Sequence, residues 1–325
     1  MMIDQKGFST DGQWFKGNLH SHTTESDGNY TPQEATQEFR KQGYSFLCIS
    51  DHNLYTDYRS LLNTDDFIIL PGLEAAAVLF DKENTCICVH HVNGILGTTA
   101  MQQAATKPLL QHKETYEPRV FYNKWDEEKV AQEIIDDLHE RGCFVTYNHP
   151  MWSRVSSELL KKLYDIDILE IFNYNTENES GTGYITSCWD QMLRQGRRQL
   201  ANAADDNHND GIFDDAFGGF IMVNARSLTH EAIVSAILSG NYYSSAGPYI
   251  LEWGIKNGTA YICCDSVERI NFIADGYVGA GTTVIAKEEP LQKAEWKLTG
   301  KEKYIRIECV DAQGRRAWTN PMYIK

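Results

Sequence analysis

The stretch FKGNLHSHTTESDGNYTPQEATQEFRKQGYSFLCISDH, residues 15–52, contains one complete strand–helix–strand unit. Its first apolar run stops at His20-Ser21-His22. Thr31-Pro32-Gln33-Glu34 then reads as a capping box with proline at the first helical position. Ala35 and Phe39 share one face of the helix that follows, and Gly43 stops it. A second apolar run, Phe46-Leu47-Cys48-Ile49-Ser50, stops at Asp51-His52. Ligand-type side chains thus sit where each run ends. Alternate residues of a strand point to one side, so His20 and His22 can converge on one ion.

The same theme recurs along the chain. Apolar runs end in, or close to, an acid, asparagine or histidine at Phe67–Glu74, Cys86–Asn93, Cys143–His149, Asp167–Asn173, Gln199–His208 and Gly219–Asn224. Near-continuous apolar runs suit parallel strands buried on both faces. Asp126 opens a further helix with Val130, Ile134 and Leu138 at spacing four, and Gly142 ends it. Alternation over about 240 residues predicts a (β/α) barrel or an open α/β sheet. Polar residues at the C-terminal ends of so many strands favour the barrel. Leu96–Lys124 breaks the rhythm and is expected to be a long insertion covering the site.

After Gly247-Pro248 the pattern changes to alternation and turn signals, with Asn257-Gly258 a strong hairpin signal. Residues 1–248 are therefore expected to form an α/β domain and residues 249–325 a small antiparallel β-sandwich. Trp253, Tyr261, Trp296 and Trp318 of that segment are expected in its core.

The formal net charge of −15 disfavours non-specific binding to nucleic acid or to an anionic membrane. No apolar run is long enough to span a bilayer, and the first residues lack the features of a secretory signal. A cytoplasmic location is the expectation. The eight cysteines form no C-x-x-C pair; several lie in apolar runs and read as buried thiols.

Seven of the ten histidines fall at the strand ends. His112, His139 and His230 do not, and read as ordinary side chains. With Asp27, Glu74 and Asp206, the strand-end residues exceed what one tetrahedral ion needs, and Glu74 could bridge two ions. Imidazole and carboxylate together suit zinc, manganese or iron, so two or three divalent ions are expected.

In order, N-L-H-S-H-T-T-E-S-D-G, I-S-D-H, G-L-E, N-H-P and D-D-N-H resemble the PHP (polymerase and histidinol phosphatase) superfamily over roughly residues 15 to 245. The resemblance implies a distorted, TIM-like (β/α)7 barrel with a trinuclear metal site. It implies one metal at His20, His22, Glu74 and Asp206. A second would share Glu74 with His91 and His149, and a third would take Asp27, His52 and His208. His90 and Asp205 are the alternatives to His91 and Asp206. His91 is preferred because the resemblance implies a histidine directly before a short apolar stretch, as in His91-Val92-Asn93-Gly94, and Asp206 because its D-x-H spacing to His208 would put both on one side of a strand.

The expected reaction is metal-dependent hydrolysis of a small-molecule phosphate ester, a monoester or a diester, by a metal-bound hydroxide. Asp51 is expected to orient a ligand imidazole, and Arg154 to grip the phosphate. Asn173 and Asn175 are weaker candidates for substrate contact. Single-strand exonuclease action and a non-catalytic, metal-stabilised binding module are the competing readings. The missing basic, aromatic-interleaved tract weighs against the first, and the full set of ligand types against the second.

Overall fold

Thr31 caps the first helix, α1 (Pro32–Lys41), as its neighbours require. Its side chain accepts from the Glu34 N–H while Glu34 reaches back to the Thr31 N–H. Ala35, Thr36 and Phe39 face inward. The structure, a computed structural model, describes residues 4–9 and 11–324; the outermost ends of the two expected domains, residues 1–3 and 325, lie outside the described residues.

Seven strands carry the strand-end residues: β1 (Gln13–Asn18), β2 (Phe46–Ile49), β3 (Ile68–Phe80), β4 (Cys86–Leu96), β5 (Cys143–Tyr147), β6 (Ile168–Asn173) and β7 (Leu200–Ala204). They lie side by side in that order. β1, β2 and β3 pair in parallel, β4 is antiparallel to both β3 and β5, and β5, β6 and β7 are again parallel. The first strand is flanked on its other side by the antiparallel strands β8 (Phe220–Ala225) and β9 (Tyr242–Ser245).

The result is a mixed α/β protein built on a large mixed sheet, which corrects the expected (β/α)7 barrel. The reason is local. Only residues 81–85 separate β3 from β4, too few for the crossover that parallel strands need. A hairpin forms instead. Two strands also outrun their expected ends: Glu74 and His91 lie inside β3 and β4, not at their termini. Nor is the sheet closed. Among the described residues no ladder joins β7 to β1. The gap is spanned by Asn18 Nδ2 donating to Asp205 at 2.7 Å, the Asp206 N–H donating to the His20 carbonyl at 3.0 Å, and one bridge between Ser21 and Asn207.

Helix α2 (Glu127–Glu140) covers β4 and β5 with Val130, Ala131, Ile134, Ile135 and Leu138. It approaches so closely that a Cβ on Gly94 would stand 2.6 Å from Leu138. His139 at its C-terminal end bonds Asp167 at 2.7 Å. The stretch 96–124 is an ordered excursion, with a helix at Thr99–Ala104 and short strands at Lys113–Thr115 and Arg119–Tyr122.

In the C-terminal segment, Asn257-Gly258 makes the hairpin turn. Both residues have positive φ, 52° and 69°, and Lys256 faces Thr259, as a type I′ turn demands. The strands it joins, β10 (Ile250–Lys256) and β11 (Thr259–Val267), form a four-stranded sheet with Gln5–Lys6 and β12 (Leu291–Lys297). Packed on it are Arg269–Asp275, β13 (Tyr304–Val310) and β14 (Arg316–Thr319), with Trp253, Ile262, Phe272 and Ile307 between. Trp253 and Trp318 are buried; Tyr261 and Trp296 are half-buried. This second layer is not separate from the first segment, because β14 pairs with β9.

A buried ion pair also ties the two segments. Helix α3 (Thr186–Arg194) presents Asp190, and Arg306 of β13 meets it in a fork, at 2.8 and 2.7 Å. The guanidinium lies 4.6 Å over the Trp189 ring, and Arg306 is 1% exposed. Removing one partner of such a pair strands a buried charge, whereas an apolar replacement of the charge itself does not. Asp190→Ala is expected to lower stability to denaturant by about 3–5 kcal/mol, and Arg306→Met by clearly less. Equal losses would show that the stranded charge is not the cause. Among the described residues, no helix is long and apolar enough to cross a membrane.

Candidate metal centre

The chain leaving β1 carries His20 and His22 into the interior, both fully buried. His20 Nδ1 lies 3.0 Å from Glu170 Oε1. A carboxylate cannot donate, so this bond places the ring proton on Nδ1 and leaves the Nε2 lone pair facing inward. There Nε2 meets Glu74 Oε1 at 3.2 Å, Asp206 Oδ1 at 3.1 Å and His22 Nε2 at 3.2 Å. His22 Nε2 is in turn 2.9 Å from Asp206 Oδ1 and 3.4 Å from Glu74 Oε2. In the neutral state these are lone pairs facing lone pairs, and a single proton satisfies one contact only. Four ligands about 2.1 Å from a tetrahedral ion stand roughly 3.4 Å apart, so the spacing fits a cation at their centre.

The electrostatics point the same way. Burial alone would lower the His20 pKa, yet the carboxylates of Asp206, Glu74 and Glu170 outweigh it and hold it well above the ordinary value. Burial would raise the Glu74 pKa, but His91, His20 and His52 hold it well below the usual range. The site demands positive charge.

Glu74 has an oxygen for each side of the cluster. Oε1 accepts from Asn148 Nδ2 at 2.8 Å and lies 3.2 Å from His149 and 3.3 Å from His91. Oε2 lies 2.9 Å from His52 Nδ1 but is buried with no hydrogen-bond partner of adequate geometry. An orphaned buried carboxylate oxygen is costly unless something else meets it. Farther out, Asp27 stands 3.4 Å from His52 Nε2 and 3.5 Å from His208 Nε2. His208 Nδ1 lies 2.9 Å from the Asp206 carbonyl and 3.0 Å from Asn175 Nδ2, and its Nε2 faces Asp27. Three groups could therefore hold an ion: His20, His22, Glu74 and Asp206; His22, Asp27, His52 and His208; and His52, Glu74 and His91.

Both pairs of alternatives are separated. His91 faces Glu74, while His90 turns away to bond Tyr147 and stack on Trp125, and burial lowers its pKa to about 3. Asp206 enters the cluster and Asp205 points out of it. Asp205 accepts from the backbone N–H groups of Phe217, Gly218 and Gly219, and burial raises its pKa to about 7. The strand-alternation argument for Asp206 does not apply, however. β7 stops at Ala204, and Asp206 adopts a left-handed φ of 58°. His149 also has positive φ, 24°. Such backbone strain concentrates at functional sites.

Two expectations are corrected. Asp51 touches no ligand imidazole. It accepts from the Thr23 N–H and Oγ1, both at 2.8 Å, and from Ser26 Oγ at 2.7 Å, and so fixes the loop that carries Asp27. Arg154 is exposed, donates to the Met151 carbonyl at 3.3 Å, and lines no part of the cavity above the cluster. A left-handed φ of 65° places it on a turn that the sequence pattern does not reveal. Asn173 and Asn175 support the cluster: Asn173 bonds Glu170 and Asp206, and Asn175 bonds the Asp206 carbonyl and His208. Glu170 went unrecognised because it stands inside an apolar run; a charge in the middle of ILEIFN was the available signal.

A cavity of about 530 Å³ opens over the cluster, reached by Asp27, His52, His91, His149, Asp206 and His208. Its outer wall includes Trp152, Glu179 and the loop 209–215. The stretch 96–124, expected to cover the site, contributes nothing to that wall.

Among solved structures, the chain is similar to a two-domain protein from Bacteroides vulgatus ATCC 8482 containing a predicted PHP-like metal-dependent phosphoesterase. The identity is 13%, 98% of each chain is covered and the TM-score is 0.47. It is also similar to a protein from Bifidobacterium adolescentis ATCC 15703 provisionally described as a metal-dependent phosphoesterase, at 17% identity over 62% of this chain and 91% of that one, with a TM-score of 0.38. No family model and no curated protein matches the chain.

Glu170 grips His20 through its side chain and His149 through its backbone N–H, at 2.8 Å. Partners of this kind are worth about 10–100-fold in metal affinity. Glu170→Gln is expected to weaken binding of Zn²⁺ or Mn²⁺ by that factor in a chelator competition assay; unchanged affinity would remove Glu170 from the centre.

Proposed function

We propose that this chain hydrolyses phosphate esters of small molecules at a centre of two or three divalent ions, zinc, manganese or iron. The observation that carries the reading is Glu74, whose two buried oxygens face different sets of histidines. The ligand sets are His20, His22, Glu74 and Asp206; Glu74, His91 and His149; and Asp27, His52 and His208. When bound, such ions supply Lewis acidity toward phosphate oxygens and lower the pKa of water.

The protein's own side chains divide the remaining work. Glu170 sets the His20 tautomer, and Asp206 accepts from Asn173. Asp51 holds the Thr23–Ser26 loop, so that Asp27 stays between His52 and His208. No serine, cysteine, lysine or arginine is among the described residues lining the cavity. The reading therefore needs neither a side-chain nucleophile nor a guanidinium clamp, and leaves the phosphate charge to the centre. The same lining weighs against a single-strand exonuclease, which would track the backbone with basic groups. We further propose that residues 1–248 carry the centre and that residues 249–325 brace it through Arg306 and β14.

Metal-supplemented protein is expected to release p-nitrophenol from a p-nitrophenyl phosphate monoester or diester, and chelation to abolish this. His20→Ala and Asp206→Asn should each lower kcat/KM roughly a hundredfold or more, while Arg154→Ala stays within about twofold. Protein that binds metal yet cleaves neither ester would overturn the reading.

A further inference from the structure

One row across the sheet is polar where the strands around it are apolar. Glu74 of β3 is paired with Asn93 of β4, and Asn93 with Thr146 of β5, so the three side chains stand on one face. Asn148, two residues beyond Thr146, joins them, and all four are fully buried. Their hydrogen bonds form a single chain. Thr146 Oγ1 donates to Asn148 Oδ1 at 2.7 Å. Asn148 Nδ2 donates to Glu74 Oε1 and to Asn93 Oδ1, both at 2.8 Å. Asn93 Nδ2 donates to the Leu19 carbonyl at 3.0 Å. Because a carboxylate and a carbonyl only accept, Glu74 and Leu19 fix which way each amide is turned. The chain thereby ties together three segments of the cluster: Leu19 precedes His20, Asn93 follows His91 by two residues, and Asn148 precedes His149. Burying an amide is costly unless it is hydrogen-bonded, and Asn93 stands in the otherwise apolar run Val92–Leu96.

We propose that Asn148, braced by Asn93, is a positioning residue that locks the rotation of the Glu74 carboxylate, so that one oxygen serves each side of a bridged pair of ions. This rests on the multinuclear reading above. The last torsion of a glutamate is soft, so burial alone does not set it. Oε2 has no hydrogen-bond partner among the described residues, and the orientation is therefore set at Oε1. There His20, His91 and His149 stand 3.2 to 3.3 Å away, but each donates only when its facing nitrogen carries a proton. The Asn148 amide donates in every protonation state. It also carries no charge. A lysine or arginine in its place would neutralise the carboxylate and compete with a cation, whereas the amide orients Glu74 and leaves both its charge and a second acceptor site on Oε1. Turning Asn148 away would break its bonds to Asn93 and Thr146 as well, and a fully satisfied buried network of this kind is rigid.

Electron paramagnetic resonance of protein saturated with Mn²⁺ reads this directly, because two Mn²⁺ ions that share a carboxylate are exchange-coupled and give a signal unlike that of isolated ions. The unmodified chain is expected to give the coupled signal. Asn148→Leu is close in size and removes the donor. It is expected to stay folded by circular dichroism, to bind Mn²⁺ about 10–100-fold more weakly, and at saturation to give the isolated-ion signal. Asn93→Leu leaves the bond to Glu74 in place and removes only its brace. It is expected to weaken Mn²⁺ binding up to about tenfold and to lose part of the coupling. A merely structural role would lower stability to denaturant in both variants and leave the signal of the folded protein unchanged. An unmodified chain without the coupled signal overturns the multinuclear reading and the proposal with it. Full coupling in Asn148→Leu, or in Asn93→Leu where Asn148→Leu does not fold, overturns the proposal alone.

Discussion

At the middle of this protein a buried imidazole lone pair faces two carboxylates and a second imidazole. The bond from His20 to Glu170 creates that situation, because it commits the proton of the ring to the outside. Glu74 and Asp206 then supply only acceptors, and His22 can bring at most one proton to the cluster on Nε2. Burying such a cluster is costly, and a cation at its centre would offset that cost. The surrounding architecture, from the left-handed turn at Asp206 to the asparagines beneath the carboxylates, holds these groups in place against their mutual repulsion.

The sheet delivers the side chains of the cluster by two routes. Parallel strands β1, β2, β5 and β7 lead into His20 and His22, His52, His149 and Asp206 just beyond their C-terminal ends. Antiparallel β4 cannot do this, since its end points the other way. It contributes His91 from its middle, opposite Ala76 and so beside Glu74. The mixed topology therefore still gathers the cluster's histidines and carboxylates at one edge.

Much of the cluster was legible in the chain because histidines and acids recur where apolar runs stop, and burial makes such recurrence expensive without a purpose. The hairpin at Asn257-Gly258 and the cap at Thr31 were legible because their chemistry is local. What stayed hidden depends on distant partners. Asp51 bonds Thr23 and Ser26, which only the folded loop brings to it. Glu170 is informative once His20 is seen beside it. Arg154 looked well placed by sequence distance from His149, but a backbone turn directs it outward. The direction of β4 was present in the five-residue link before it and was overridden by the expectation of regular alternation. The loop 209–215, not the longer insertion, walls the cavity, since Asp205 and Asp215 pin its ends.

The account stands on the cluster being a multinuclear cation site, and counting ions tests this most directly. Elemental analysis of purified, metal-supplemented protein should find at least two divalent ions per chain, with Glu74→Ala losing more than one because its two oxygens serve different histidines. Fewer than two ions in the unmodified protein would contradict it.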